Sequence, residues 1–167
     1  ENQKDDSKTE TGTATYQDTI NSYTDKVEDG YILEKEENLP LTITENEANN
    51  IIKIYYVIDE SQTKDLSYTV EYYKDGTKIE EETENVTVQL LEPNTLTVDK
   101  TKINTSNKYP GYKLEKTEPG TIPDTVKDGD IIKIYYVKDQ FKYTIEYYYE
   151  NQKDDSKTET GTATYQD

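Results

Sequence analysis

Carboxylates and tyrosines are the side chains with which this chain could do chemistry. It has 36 Asp and Glu and 17 Tyr among 167 residues, and no His or Cys. Without His or Cys, an ordinary zinc site and a His- or Cys-based nucleophile are excluded. A catalytic carboxylate pair also needs a shaped cleft, and acids at this density come close together by chance. The seven glycines are at least nine residues apart, which excludes a glycine-rich phosphate loop. The sequence therefore predicts a protein that is not an enzyme and has no cofactor.

Three oxygen-rich stretches are candidates for binding Ca²⁺: Asp5–Asp6, Glu45–Asn50 and Asp124–Asp130. None of them matches the D-x-[DN]-x-[DN]-G pattern of the common calcium loop. Acidic runs on a strongly acidic protein are usually solvated, and that interpretation is preferred to a calcium site.

The tyrosines offer a second kind of site, a surface for stacking. Four of them are expected on the outward faces of predicted strands: Tyr55, Tyr73, Tyr135 and Tyr148. Their rings could bind sugars or a partner, or they could shield an exposed sheet face and pack where units meet. The second interpretation is preferred, because aromatic cross-strand pairs are ordinary stabilisers of sheets.

The elements that position these tyrosines are short strands with alternating apolar residues. Tyr68–Tyr73 (YTVEYY) and Tyr143–Tyr149 (YTIEYYY) have the period of a half-buried strand. The seven residues IIKIYYV occur twice, at Ile51–Val57 and Ile131–Val137, with the same alternation. The inward side chains are expected to be Ile52, Ile54, Tyr56, Tyr68, Val70, Tyr72, Ile132, Ile134, Tyr136, Ile145 and Tyr147.

Two charged pairs are predicted between neighbouring strands. If the first and last strands of a unit lie side by side, Glu71 can meet Lys133, and Glu146 can meet Lys53 of the next period. Exposed pairs of this kind contribute from a few tenths to about 1 kcal/mol, which is enough to favour one register.

Glycines and polar residues mark the connections. Gly30–Tyr31 and Gly111–Tyr112 each precede a strand, and their glycines are expected in a turn conformation that other residues avoid. Thr15–Lys26 is a candidate short helix with a Thr or Asp cap.

Repetition is the main feature of the sequence. Glu150–Asp167 is letter for letter the same as Glu1–Asp18, which gives a period of 149 residues. Within that period are two weaker copies of one unit, each running from a tyrosine-rich strand through a Gly-Tyr pair to IIKIYYV. Repeats of this kind predict a tandem array of similar small domains.

The repeat divides the chain into three parts. Residues 1–60 form a unit that lacks its first strand, 68–138 form a complete unit, and 143–167 contain the first strand and start of the next. Either the array is covalently continuous, or separate chains meet end to end and each lends its 143–149 strand to the next. The first explanation is preferred.

Charge and composition limit the partners. The net charge of −17 disfavours nucleic acid and anionic membranes, and no apolar stretch approaches the length of a membrane span. No membrane insertion of this segment is expected. A cysteine-free, acidic chain rich in Thr, Tyr, Asn and Lys fits an extracellular protein of a Gram-positive cell wall or cell surface.

The order YTVEYYKDG, GYKLEK, IIKIYYV resembles the mucin-binding-protein repeat domains of Gram-positive surface proteins. Tyr68–Gly76, Gly111–Tyr112 and Ile131–Val137 follow that plan, which recurs from Tyr143 and through Gly30–Tyr31. Residues 5–57 are also similar to repeats in surface proteins of clostridia. The resemblance implies small β-grasp (ubiquitin-like) domains of mainly β, α+β class, displayed on the cell surface in adhesion or as a stalk. The second copy has Glu150–Asn151 where the family has an Asp-Gly turn, and no sugar-binding residue set can be carried over.

Two functions follow as hypotheses. The first is a structural, non-enzymatic module of a surface fibre, stalk or adhesin, whose partners are neighbouring repeats of the same protein. The alternative is an adhesion module that binds mucin-type glycans of a host.

Overall fold

Short strands account for most of the regular structure in the computed structural model, which describes residues 3–166. The mainly β prediction is confirmed. The early strands are β1 (Thr19–Ile20), β2 (Tyr31–Glu37), β3 (Leu41–Thr42), β4 (Lys53–Ile58), β5 (Thr63–Lys74), β6 (Thr77–Gln89) and β7 (Thr95–Thr97). The later ones are β8 (Tyr112–Glu118), β9 (Thr125–Lys127), β10 (Ile131–Lys138), β11 (Gln140–Ile145), β12 (Tyr148–Tyr149), β13 (Gln152–Lys153) and β14 (Glu159–Thr164).

Helical structure in the described residues is limited to single 3-10 turns at Asp6–Lys8, Glu47–Asn49, Lys100–Lys102 and Asp155–Lys157. Each follows an Asp or Asn whose side-chain oxygen accepts a backbone N–H, as Asp5 accepts from Ser7. The helix predicted over Thr15–Lys26 is wrong. That stretch contains β1, which pairs with β3, so its capping residues serve a turn rather than a helix.

The chain separates into two compact units. One contains the described part of Glu1–Lys64 together with Val88–Glu92, and the other contains Asp65–Thr87 with the described part of Pro93–Asp167. They are called the first and second compact unit below.

A mixed four-stranded sheet organises the second compact unit. Its strand order is β6-β5-β10-β8. The central strands β5 and β10 are parallel, with Val70 opposite Ile132 and Tyr72 opposite Ile134. This register places both apolar sets on one face, and a slip of one residue would expose them.

The core of this unit lies on that face. Six of the predicted inward side chains are confirmed, since each is at most 3% exposed: Tyr68, Val70, Tyr72, Ile132, Ile134 and Tyr136. The prediction is wrong for Ile145 and Tyr147, which are 41% and 38% exposed. The segment from β7 to Asn104 covers them, with Leu96, Val98 and Ile103 buried. The inward tyrosines keep their hydroxyls satisfied against this segment. Tyr72 accepts from the backbone N–H of Asn104, and Tyr136 donates to its carbonyl.

A second, smaller hairpin system follows β10. Strand β11 pairs with β14, and β12 pairs with β13. The predicted strand Tyr143–Tyr149 is therefore two strands, beginning at Gln140 and interrupted at Glu146–Tyr147. Glu150 and Asn151 have φ of 46° and 65°, close to Asp75 and Gly76 at 46° and 81°. Asn tolerates this left-handed conformation, so the Glu150–Asn151 turn replaces an Asp-Gly turn without change of shape.

The first compact unit contains two strand pairs. β2 pairs with β4 and β1 pairs with β3, both antiparallel. Strand β4 carries the same IIKIYYV sequence as β10, yet Ile52, Ile54 and Tyr56 are only half-buried. The difference follows from the sheet: β10 lies between two strands, and β4 has only β2 beside it within residues 3–166.

Candidate functional site

Two of the four predicted outward tyrosines form a stacked pair in the second compact unit. Tyr73 and Tyr135 lie opposite each other on β5 and β10, with ring centroids 4.7 Å apart and planes 23° apart. Both rings are half-buried. The pair therefore lies on the outer face of the sheet, opposite the core, as a cross-strand contact.

Tyr135 also belongs to a three-residue cluster with the neighbouring strand β8. The Tyr135 hydroxyl donates to Glu118 at 3.1 Å, and Lys116 Nζ lies 4.9 Å from the ring centroid and 3.3 Å from Glu118. The ammonium of Lys116 holds the pKa of Glu118 below its ordinary value. A bulge places Lys116, not Glu115, opposite Tyr135.

The first compact unit repeats this cluster around Tyr55. Its hydroxyl donates to Glu37 at 3.2 Å, and Lys35 Nζ lies 4.6 Å from the ring and 3.2 Å from Glu37. The bulge recurs at Glu34. What differs is the stacking: within residues 3–166 no aromatic ring lies against Tyr55 in the way that Tyr73 lies against Tyr135.

The fourth tyrosine, Tyr148, is 57% exposed on β12. Its hydroxyl donates to Glu146 at 2.6 Å, and Glu146 pairs with Lys153 at 3.2 Å. The four tyrosines are therefore not one surface. Tyr73 and Tyr135 stack on each other, and Tyr148 is largely exposed. One face of the Tyr55 ring has no aromatic partner within residues 3–166, and this face is called its vacant side below.

The predicted Glu71–Lys133 pair has a more complex geometry. The two residues are register partners on β5 and β10. Glu71 is 7% exposed, and its ion pair is made with Lys78 of β6 at 3.0 Å. The Tyr73 hydroxyl donates to it at 3.2 Å. Lys133 Nζ lies 5.8 Å from the Tyr73 ring.

Glu71 should make stability depend on pH. The hydrogen bond from Lys78 lowers its pKa, against the opposing effect of burial. A carboxylate with a lowered folded pKa stabilises the fold above its unfolded pKa, and this stability is lost as pH falls through the folded value. We expect Glu71→Gln to cost about 1–2 kcal/mol at pH 7 and little at pH 2, measured by urea unfolding across pH.

Glu81→Gln is the matched control, because Glu81 bonds the same lysine but is exposed. It should have almost no effect at either pH. An equal loss from Glu71→Gln at pH 7 and pH 2 would mean that the charge of Glu71 is not the cause.

The second predicted pair joins Glu146 to Lys53 of a following period. Within the chain Glu146 pairs with Lys153, and Lys53 is exposed on β4. Because the pair was predicted between periods, it stays a prediction.

A half-buried aromatic and charged cluster lies beside the core of the second compact unit. Tyr109 donates to Glu80 at 2.6 Å, and Lys108 pairs with Glu80 at 2.9 Å. Lys108 Nζ lies 4.1 Å from the Tyr72 ring, and the Tyr109 ring meets Tyr136 edge-on at 5.2 Å. Burial raises the pKa of Tyr109, and the Tyr109 hydroxyl lowers that of Glu80. Every charge here has a partner, so the cluster stabilises packing.

Contacts onto glycine form a site that sequence reasoning missed. In the second compact unit, a Cβ on Gly111 would lie 2.3 Å from the Tyr165 ring, which also meets Tyr112 edge-on at 5.9 Å. In the first compact unit, a Cβ on Gly30 would lie 2.6 Å from Leu91. The signal available in sequence was the Gly-Tyr pair, which predicted only the turn. The φ values of 87° at Gly30 and 80° at Gly111 agree with that turn.

The backbone at both glycines is held in the same way. The Gly111 carbonyl accepts the N–H of Asp139 at 2.9 Å, and the Gly30 carbonyl accepts the N–H of Asp59 at 2.8 Å. Tyr165 and Leu91 both come from the end of the hairpin that follows in sequence. Each compact unit thus contains a contact between consecutive sequence units, which we call the glycine junction: Gly30 with Leu91, and Gly111 with Tyr165.

The acidic stretches considered for Ca²⁺ have other partners. Asp5 accepts from Ser7, Asn46 from the N–H of Ala48, and Asp124 pairs with Lys100 at 2.6 Å. Over residues 3–166 no three acidic side chains are grouped as a metal ion would require.

Within the described residues no helix could cross a bilayer, since the longest are 3-10 turns of three residues. No protein-family model matches the chain, and the search of curated proteins found no match either.

Proposed function

We propose that this chain is a structural, non-enzymatic module of a tandem-repeat fibre or stalk on the outside of a bacterial cell. The observation that carries the proposal is the glycine junction. Consecutive sequence units meet through the same Gly-Tyr turn in each compact unit, with the glycine covered by a large side chain. Contacts of this kind leave little freedom where units join, which suits a stiff stalk.

The strand order supports a β-grasp-like unit. In β6-β5-β10-β8 a hairpin comes first, and its first strand runs parallel to the last strand of the unit. The segment from β7 to Asn104 occupies the core face where such folds commonly carry a helix. The repetition at 149 residues supports an array of these units.

Glycan binding is the weaker candidate. Sugars bind tyrosine by stacking on the ring face, and the rings of Tyr73 and Tyr135 already have each other and nearby lysines as partners. A mucin-glycan array with the intact chain separates the two functions. Silence across the array is expected of a stalk.

Chain length tests the stalk directly. We expect proteins of one, two and three 149-residue periods to increase in maximum dimension by a constant step per period, measured by small-angle X-ray scattering. A flexible chain of domains would instead lengthen roughly with the square root of the number of periods. That result, or specific glycan binding, would contradict the proposal.

A further inference from the structure

The two copies of IIKIYYV differ in what lies beside them. β10 is paired on both edges, with β5 parallel on one and β8 antiparallel on the other. β4 is paired with β2 alone among the described strands. The edge of β4 that corresponds to the β5 side of β10 therefore has unpaired backbone groups next to half-buried apolar side chains. Such an edge is a template for another strand.

One segment of the chain matches the absent strand. Residues 143–148 (YTIEYY) differ from Tyr68–Tyr73 (YTVEYY) only by Ile145 for Val70. In β5 the inward residues of this motif are at most 3% exposed, whereas Tyr143 and Ile145 are 50% and 41% exposed. Among the strands in residues 3–166, β11 pairs only with β14 and β12 pairs only with β13. The segment thus has the apolar face of β5 and no sheet to bury it against.

Identical glycines show what is absent beside the N-terminal copy. Gly161 lies opposite Tyr143, and a Cβ there would be 2.6 Å from its ring. Gly12 is the same residue of the same eighteen-residue segment, and it has nothing within 4 Å. Residues 10–15 form no strand, although Glu159–Thr164 has the same sequence and does. Within residues 3–166, no tyrosine-rich strand pairs with the N-terminal copy in the way that β11 pairs with β14.

We propose that the open edge of β4 binds the strand Tyr143–Tyr149 of a second copy of this chain, in parallel. The register observed between β5 and β10 transfers directly to this pair. It places Ile145 opposite Ile52, Glu146 opposite Lys53, and Tyr148 against the vacant side of Tyr55. The free strand is interrupted at Glu146–Tyr147, where in this register β4 would supply hydrogen-bond partners. This inference rests on the proposed function, because it names the contact that would extend the array between separate copies of this chain. In a covalently continuous array, the same contact would join consecutive periods.

In the proposed pair, the strand Tyr143–Tyr149 of the second copy is followed by Glu150–Asp167. This segment has the same sequence as Glu1–Asp18 of the receiving chain. Lys26 pairs with Glu10 at 3.0 Å in the first compact unit, and Lys102 pairs with Glu84 at 2.9 Å in the second. The counterpart of Glu10 in the incoming copy is Glu159, in an identical sequence. Residues 152–166 of the incoming copy could therefore replace residues 3–17 of the receiving chain with no change of side chains. The added strand Tyr143–Tyr149 would then be a net gain of burial.

Cysteine pairing tests the partner and the register together, since the chain has no cysteine of its own. In Lys53→Cys/Glu146→Cys, the two thiols would lie at register partners within disulfide distance. Oxidation of the intact chain should give a ladder of dimers, trimers and larger species on a non-reducing gel. Both positions are exposed, so the reduced variant should keep the circular dichroism of the parent.

Lys53→Cys/Tyr147→Cys is the matched control, because a shift of one residue turns the second thiol to the opposite face. It should give no ladder, and Lys53→Cys alone should give nothing larger than a dimer. Equal ladders in the two double variants, no cross-linking, or only an internally linked monomer would overturn the inference. The length test of the stalk uses covalently continuous periods, so its outcome is independent of this one.

Discussion

Gly111→Ala is expected to destabilise the second compact unit about two to three times as much as Gly76→Ala. The two glycines have almost the same φ, 80° and 81°, so the backbone strain of about 1–2 kcal/mol is common to both. Only Gly111 is covered, by the Tyr165 ring at 2.3 Å from an added Cβ, whereas Gly76 has nothing within 4 Å. Displacing the packed Tyr165 ring should cost a further ~1–3 kcal/mol of folding free energy. Amide hydrogen exchange in β8 would measure the difference.

A double variant identifies the cause. If the loss comes from overlap with the ring, Gly111→Ala/Tyr165→Ala should be more stable than the sum of the two single losses predicts. The difference between Gly111→Ala and Gly76→Ala should then nearly vanish in the Tyr165→Ala background. Equal costs for both glycines in the parent chain would show that the glycine junction contributes nothing to stability.

The second large effect compares Ile134→Ala with Ile54→Ala, the same residue of IIKIYYV in two surroundings. Ile134 is 0% exposed between two strands, and its truncation should cost about 2–5 kcal/mol. Ile54 is half-buried with one neighbouring strand, so its truncation should cost about 1 kcal/mol in dilute protein. Hydrogen exchange at the amides of β10 and of β4 reports each loss separately.

The comparison of Ile134→Ala with Ile54→Ala should also depend on protein concentration. If a second copy covers β4, the cost of Ile54→Ala should rise with protein concentration, because association stabilises the covered form by mass action. The cost of Ile134→Ala should stay constant, since its site is already filled. Equal costs in dilute solution would mean that the two copies of the motif are equally buried, contrary to the structure.

Strands that bury one face could be predicted from sequence, and exposed ones could not. The alternation in YTVEYY and IIKIYYV predicted the inward residues because a half-buried strand must repeat every two residues. β6 was missed: Thr77–Gln89 has four glutamates and is mostly exposed, so its apolar pattern is weak and its strand state comes from pairing with β5. The helix expected at Thr15–Lys26 failed because Thr and Asp favour turns as readily as helix caps.

The conformation of the repeated segment could not be predicted from its own residues. Glu10–Thr15 and Glu159–Thr164 have one sequence and two conformations, so the residues themselves do not determine which is adopted. The neighbouring strand β11 does. For the candidate site, the outward tyrosines were predictable from the alternation, but the Lys116 and Lys35 contacts depend on bulges at Glu115 and Glu34. The cover of Gly111 by Tyr165 depends on a contact between distant segments.

The parallel pairing of β5 with β10 determines how the second compact unit would carry tension. The chain enters this sheet at the start of β5 and leaves at the end of β10, and six residue pairs join the two strands. A pull on the two ends would drag these strands past each other along their length, so all the bonds between them would be loaded at once. In an antiparallel pair of strands pulled from one end, the hydrogen bonds would instead break one after another. This geometry raises the resistance of the sheet to stretching without raising its thermodynamic stability.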